Sequence, residues 1–426
     1  VLATEGIDFE VGPGSRRLQK RVLLLPPCQP NSPEKERINM NSQVTETAHQ
    51  SGQELGNNHN EKLLERNVVS LGWVAFFGGL AQDMIQPVLP IFYTSVLGLS
   101  KEFIGLIEGS LTTIVSLMKI GAGYLSDALG VRKAIVFVGY AFSAVARFGL
   151  GLATSGAAAF GLRLTDGVGK GLKDAPRDAL VAGSAGHRKL GLAFGIQRTL
   201  DTLGSVAGPL ITYGLLRLWV NHPNRYREVF LTAGALAFIP LIIIGLWVKE
   251  RKQPVSKQIL SLSALKGPFA GFLGIMLLFT LGNSSDAFLI LRAEDVGVSA
   301  TSIPLVVALF NLVSALTAIP AGRLSDRIGR RRAITIGWGI YAAAYLGFAV
   351  ASQAWMVWLF YAFYGLYYAF TEGSAKAMVA ELVPEASRGS AYGLFNASVG
   401  VMALPASVIA GYLWNWSPAA PFAFGH

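Results

Sequence analysis

Charge is scarce in this sequence. Asp, Glu, Lys and Arg make up 15% of its 426 residues, against about 25% in a soluble globular protein. That deficit argues against an ordinary soluble enzyme. Cysteine occurs once, as Cys28, which excludes a disulfide framework, a multi-cysteine zinc site and a CxxC redox pair. The five histidines, His49, His59, His187, His222 and His426, all lie outside the long apolar runs, so proton chemistry inside those runs falls to carboxylates. No nucleophile–base pair or metal-ligand cluster is spelled out, so no enzyme and no cofactor are expected. No secretory leader is expected within the sequence either: the one early apolar run, Val22 to Leu25, is too short for a leader's hydrophobic region.

Apolar residues fill the space that charge leaves, at 52% of the chain. They come in blocks of roughly twenty, the length that crosses ~30 Å of hydrocarbon as helix. Lipid satisfies no free backbone groups, so each block should be helical. Eleven blocks are expected, at about 68–94, 103–127, 131–153, 158–182, 189–218, 229–248, 268–292, 299–325, 332–352, 355–382 and 387–413. Residues 1–66 read as a disordered polar extension, of which 1–39 precede the first methionine, Met40. Residues 67–248 form a first half, 249–267 a basic cytoplasmic linker, and 268–426 a second half.

The net charge of +10 does not require a nucleic-acid partner. With residue 67 inside, one set of loops carries Arg132, Lys133, Arg188, Lys189, five cations in 249–266, Arg323, Arg327, Arg330, Arg331, Arg332 and Arg388. The opposite set carries Lys101, Arg217, Arg225, Arg227 and Arg292. This bias predicts a cytoplasmic amino terminus.

The halves repeat. AGYLSDALGVRKAI at 122–135 and AGRLSDRIGRRRAI at 321–334 agree at nine of fourteen positions. Ala179-Leu-Val-Ala matches Ala377-Met-Val-Ala, and Gly191-x-Ala193-x-Gly195 matches Gly389-x-Ala391-x-Gly393. A repeat of six crossings keeps its orientation, and two parallel halves around a central site is a transporter architecture.

These motifs resemble the major facilitator superfamily from about residue 67 onward. Its motif between the second and third helices is similar to Gly123-Tyr-Leu-Ser-Asp127-Ala-Leu-Gly130-Val-Arg132-Lys133. It recurs as Gly322-Arg-Leu-Ser-Asp326-Arg327-Ile-Gly329-Arg330-Arg331. The fourth-helix pattern R-x-x-x-G-x-G appears as Arg163 to Gly169. The fifth block carries Gly195, Gly204 and Gly208-Pro209, similar to the superfamily's antiporter motif, but departs from it at Thr212-Tyr213. The resemblance implies an all-α membrane fold of two pseudo-symmetric six-helix bundles, working by alternating access. The cavity would be lined by blocks 1, 4, 7 and 10. A cytoplasmic gate is implied at Gly123, Asp127, Gly130, Arg132, Gly322, Asp326, Gly329 and Arg331. Twelve helices are implied too, and a twelfth would begin near Phe424-Gly425-His426.

The fourth block is the most charged, RLTDGVGKGLKDAPRDAL at 163–180. Its GVGKG lacks the glycine spacing, the following Ser or Thr and the preceding strand of a phosphate loop. Both copies of the repeated motif must face one side, which needs an even number of crossings between them, so this block has to cross. At 100° per residue, Arg163, Asp166, Lys170, Lys173, Asp174, Arg177 and Asp178 fall within ~140° of one another. The stripe is ~22 Å long at 1.5 Å per residue, and each of its charges would cost ~2.5–3.5 kcal/mol facing lipid. Spacing predicts Arg163·Asp166, Asp166·Lys170, Lys170·Asp174 and Asp174·Arg177 pairs. One cation is left over for a partner elsewhere. Pro176 frees the Leu172 carbonyl and predicts a bend. Lys173 to Asp178 read as structural, Arg163 and Asp166 as a coupling site.

Elsewhere, Asp83 interrupts block 1. Buried without a partner, a carboxylate can exchange a proton near neutral pH, and a nearby Arg163 would oppose that. Asp83 with Arg163 is the expected proton switch, with a static ion pair as the alternative. Asn283-Ser-Ser-Asp286 reads as a break in block 7. In block 10, Tyr361, Gly365, Tyr368, Glu372 and Lys376 share a face. With Gln86 and Lys170, the residues Asn283, Asp286, Tyr361, Tyr368, Glu372 and Lys376 are the expected substrate cavity. Arg198·Asp201 reads as an i,i+3 pair, Lys119 and Arg147 as cations that snorkel from helix ends, and Glu108 is ambiguous.

The expected function is proton-coupled efflux of a small organic molecule, of the multidrug-resistance type, with the proton gradient as energy source. The protein would be a monomer among the lipids of a plasma membrane of the bacterial inner-membrane kind. The alternatives are import of a small, even anionic, solute by symport or facilitation, and a non-transporting sensor or inactive fragment.

Overall fold

The computed structural model describes residues 66–184, 190–250, 267–384 and 388–426, with the side chains of 127, 128, 190, 191, 388 and 389 left aside. The expected disorder of the amino-terminal extension and nearly all of the basic linker lie outside these residues, as does the Asp127 side chain.

Among the described residues the fold is helical throughout. The first block is two helices, α1 (66–85) and α2 (Leu89–Ser95). Pro87 and Pro90 supply no N–H across the joint, and the helix breaks there. Four long helices follow: α3 (Lys101–Leu129), α4 (Lys133–Leu152), α5 (Gly156–Ser184) and α6 (Leu190–Leu218). Block 6 is α7 (Arg225–Leu236) and α8 (Ile239–Trp247), divided ahead of Pro240. The second half contains α9 (Pro268–Gly282), α10 (Asp286–Asp295), α11 (Ile303–Ile328), α12 (Arg330–Val350), α13 (Ala354–Leu382) and α14 (Arg388–Trp416). The break predicted at 283–285 lies between α9 and α10. A short α15 (Ala420–Gly425) follows, with Phe422 fully buried against Tyr345 and Phe348.

Eight of the eleven crossings are long and apolar enough to span a membrane by composition alone. The remaining three, α5, α6 and α13, are each 29 residues long and each carries charged residues within its length. The outer surface is apolar: Leu246, Leu278 and Leu316 are more than two-thirds exposed. Large exposed leucines are a liability in water and the natural exterior in lipid. This is a multi-pass membrane protein.

The repeated motif ends a helix on a positive-φ glycine twice. After α3, Gly130 has φ 62°, and after α11, Gly329 has φ 92°, a region of backbone space that favours glycine. Both turns lie at one end of the molecule, the motif end. At the far end α2, α10 and their neighbours form one apolar cluster, with Phe92, Phe230, Phe288 and Phe348 fully buried. The halves meet along α3–α14 and α6–α11. On α3, a β-carbon at Gly105 would sit 2.2 Å from the Ser407 carbonyl oxygen, and one at Gly109 2.8 Å from Leu404 Cα. Only glycine permits that approach.

Candidate functional site

The glycines of GVGKG position the charges around them. A β-carbon on Gly167 would strike Ile114, one on Gly169 the Gly139 carbonyl, and one on Gly171 Met118. Helix α5 is thereby seated directly against α3 and α4, which brings Glu108 and Arg147 to its charged face. The Arg163 Nη2 donates to both Glu108 carboxylate oxygens at 3.1 Å, and its Nη1 donates to Asp166 Oδ2 at 3.3 Å. Arg147 donates from Nε to Asp166 Oδ1 and from Nη1 to the Gly78 carbonyl of α1, each at 3.2 Å. Lys170 Nζ stands 3.5 Å from Asp166 Oδ2. Arg147 and Arg163 are the largest of the fully buried side chains, at 1% and 2% exposure.

Several expectations change here. Arg147 does not snorkel; it is locked at the centre of the first half. Glu108 is the acid that the stripe's surplus cation required. Asp83 and Arg163 do not pair, because both terminal nitrogens of Arg163 are held by Glu108 and Asp166. Asp174 bonds Lys119 at 2.9 Å rather than Lys170 or Arg177, and Arg177 turns to Asp178 and the Tyr140 hydroxyl. Helical spacing permits i,i+4 pairs, but the neighbouring helices offer closer ones. Arg198 does stand near Asp201, at 3.9 Å.

The ends of the stripe also exchange places. Arg163 and Asp166 are packed inside the bundle and line neither of the two cavities between the halves. Lys170, Lys173, Asp174, Arg177 and Asp178 line a vestibule of about 720 Å³ that opens at the motif end. Lys173 is 5% exposed and lies 4.2 Å from the centre of the Tyr140 ring. From the second half Glu372 and Lys376 face the same vestibule, bonded to each other at 2.8 Å. Glu372 also reaches Arg198 across the gap, at 3.9 Å.

Deeper, between the halves, is a second cavity of about 170 Å³. Asp83 and Gln86 reach it from the first half, Asp286 and Tyr361 from the second. Gln82 lines both cavities and marks where they adjoin. Asp83 has Ser205 beside it and no ion-pair partner among the described residues. Tyr364 donates to Asp286 Oδ1 at 2.8 Å. Two expected cavity residues are used elsewhere. Asn283 accepts from the Tyr345 hydroxyl at 3.1 Å, and Tyr368 packs edge-on against Phe310 and Tyr364. Tyr341 donates to the Gly282 carbonyl, so α12 tyrosines occupy polar groups freed by the break.

In the motif turns, Gly123 lies beside α5, its β-carbon position 3.9 Å from Ala175. Arg132 donates to the Ala179 carbonyl, and its backbone N–H to Glu250. In the second copy the arginine that pairs with Asp326 is Arg330, at 2.5 Å, and it also reaches Glu381 of α13 at 3.3 Å. Arg331 is exposed, and Gly322 faces open space. On α6, β-carbons at Gly204 and Gly208 would strike the Phe76 and Leu80 carbonyls of α1, whereas Gly195 is open. Pro209 lies within α6. Thr212 departs from the motif pattern for a local reason: it donates to the Met84 carbonyl at 2.7 Å, next to the α1 break. Sequence reasoning missed Gln82, Asn311 and Glu250, each an ordinary polar residue that periodicity does not distinguish.

The model of the Major Facilitator Superfamily matches residues 71–291 and 268–425. The chain belongs to that superfamily. It is 37% identical to an uncharacterised MFS-type transporter of Methanocaldococcus jannaschii, over 87% of this chain and 94% of that protein. It is 27% identical to a multi-drug resistance efflux pump PmrA homologue of Lactococcus lactis, over 80% and 87%. Among solved structures it resembles the nucleoside transporter NupG (TM-score 0.68, 15% identity, 83% and 93% covered). It also resembles a bacterial homologue of the human lysosomal transporter Spinster (TM-score 0.67, 18%, 83% of each chain). At such identities these two structures share the fold.

Proposed function

We propose that this superfamily member is a proton-coupled exporter of small organic molecules, resident in a plasma membrane with the motif end in the cytoplasm. The observation that carries the reading is the pair of adjoining cavities on the seam between the halves, open at the motif end and closed beyond by the far-end cluster. A molecule entering from the cytoplasm would meet the vestibule and then the chamber. The distribution of basic loops and the likeness to PmrA-type efflux pumps support the direction. Asp83 is the coupling group in this reading. It faces the chamber without an ion pair, so a proton can come and go without breaking a salt bridge. Arg163 and Asp166 brace the bundle that holds α1 in place. No cofactor enters the cycle, and the monomer suffices because both halves lie in one chain.

The test is solute flux in proteoliposomes under an imposed pH gradient, with ethidium as reporter. Export by antiport accumulates ethidium in an acidic lumen through the outward-oriented fraction, and Asp83→Asn abolishes the pH dependence. Unchanged dependence in that variant would sink the coupling assignment. One observation favours importing an anion instead: the vestibule is lined by six Lys/Arg against four Asp/Glu. Under that reading the same gradient drives a preloaded anion out of the acidic lumen together with protons, and ethidium does not move.

A further inference from the structure

The small chamber has an unusual chemistry for its size. Its wall holds two carboxylates, Asp83 and Asp286, and no Lys, Arg or His. The cations whose charge is felt at Asp83 are Lys170 and Arg147, and both are committed to Asp166. Negative charge in a low-dielectric interior calls for a counter-charge, and no side chain in the wall supplies it. Three aromatic rings stand with the carboxylates: Phe310, Tyr361 and Tyr364. Rings around a carboxylate recognise substituted ammonium groups, through the negative faces of the π-systems and the neighbouring charge.

A second observation points to a ligand independently. Tyr361 is 4% exposed, its hydroxyl is buried without a hydrogen-bond partner among the described residues, and it lines this chamber. A buried hydroxyl left unpaired is costly, unless something that enters the chamber completes it. Tyr364, by contrast, is satisfied by Asp286, and Asn311 donates to the Ser205 carbonyl at 2.8 Å. The polar wall is therefore preset, with one hydroxyl in reserve.

Volume limits the guest. About 170 Å³ leaves room for a trimethylammonium head, while the fused rings of a larger cation such as ethidium would stay in the vestibule. Because Gln82 lines both cavities, a longer molecule could leave its remainder in the vestibule.

We propose that the chamber bounded by Asp83, Asp286, Phe310, Tyr361 and Tyr364 is a binding site for a compact substituted-ammonium head that also carries a hydrogen-bonding group for the Tyr361 hydroxyl. The proposal rests on the transporter reading and narrows its cargo to organic cations.

Radiolabelled choline is the probe, with its neutral isostere 3,3-dimethylbutanol as competitor, on the full chain in nanodiscs without any gradient. Choline binds saturably, and the isostere at hundredfold excess displaces less than a tenth of it. Asp286→Asn weakens binding at least tenfold. Tyr361→Phe weakens it three- to tenfold without changing the thermal unfolding midpoint. Equal displacement by the neutral isostere would overturn the proposal with no variant needed, should Asp286→Asn fail to fold. Absence of saturable choline binding overturns it too, as does full binding by a folded Asp286→Asn. The two readings fail separately. Choline binding without gradient-driven flux removes the exporter and keeps the site, whereas gradient-driven ethidium accumulation without choline binding does the reverse.

Discussion

Replacing Glu108 by Gln should unseat the first half of the molecule, and the size of the effect follows from the charge count. The buried cluster contains Arg147, Arg163 and Lys170 against Glu108 and Asp166, a net charge of +1. The substitution raises that to +2 and presents an amide N–H₂ to a guanidinium that has lost its bidentate partner. Removing one member of a buried pair costs about 3–5 kcal/mol, because the ion left behind is neither hydrated nor compensated. Adding Arg163→Met restores the count: Arg147 and Lys170 against Asp166 is again +1. The double variant should therefore recover about 2 kcal/mol or more of the loss, a coupling typical of residues in one network. The assay is reversible unfolding by dodecyl sulfate in mixed micelles, followed by circular dichroism, for wild type, both single variants and the double. A Glu108→Gln protein within about 0.5 kcal/mol of wild type would place the pair among weak surface bridges and refute the brace. Strictly additive losses would refute it as well.

Gly169→Val should fail to give a monodisperse protein, since even its β-carbon would stand 2.6 Å from the Gly139 carbonyl oxygen; a well-folded variant by size exclusion would remove the argument for GVGKG as a packing surface. Thr212→Val keeps the shape and orphans the Met84 carbonyl, so a loss of about 1–3 kcal/mol is expected in the same unfolding titration, with ethidium flux lowered because the α1 break is no longer held. Arg198→Ala should cost under about 1 kcal/mol, as its side chain is 71% exposed. It nevertheless removes a link between the halves, and spin-label distances between α6 and α13 at the motif end should broaden.

Much of the fold was legible because membrane helices announce themselves. Each crossing needs about twenty apolar residues, and the repeated SD-x-x-G-x-R turn set the register of one half against the other. The break at 283–285 was legible too, since three consecutive polar residues cannot continue a lipid-exposed helix. The side-chain partners were not. Helical angle shows which residues share a face, but it does not show which neighbour occupies that face. Arg147 shows the difference: from spacing it is an arginine near a helix end, and only the glycine contacts that draw α4 onto α5 place it on Asp166. Glu108 was legible as a debt of charge, one acid owed to the stripe, without its position. Arg330 and Arg331 were indistinguishable in a run of three arginines, and the reach to Glu381 depends on where α13 lies.

The same contacts that hide the charge cluster also indicate where the molecule bends. Along α3 and α14 the close approaches run from Gly105, Gly109 and Gly411 in the far part of both helices to Gly400 against Ser116 near their middles. Their motif-end parts, from Lys119 on α3 and up to Asn396 on α14, diverge around the vestibule. The pair forms a wedge closed at the far end. If the halves rock, the closed end must part and the open end must meet, and α2 against α10 is the barrier that yields. The ion cluster lies wholly within the first half, with no member from the second. It can therefore pass through that motion unbroken, which suits a brace and not a switch. Asp83 and Asp286, one from each half across a chamber on the seam, are the carboxylates whose surroundings must change as the seam opens.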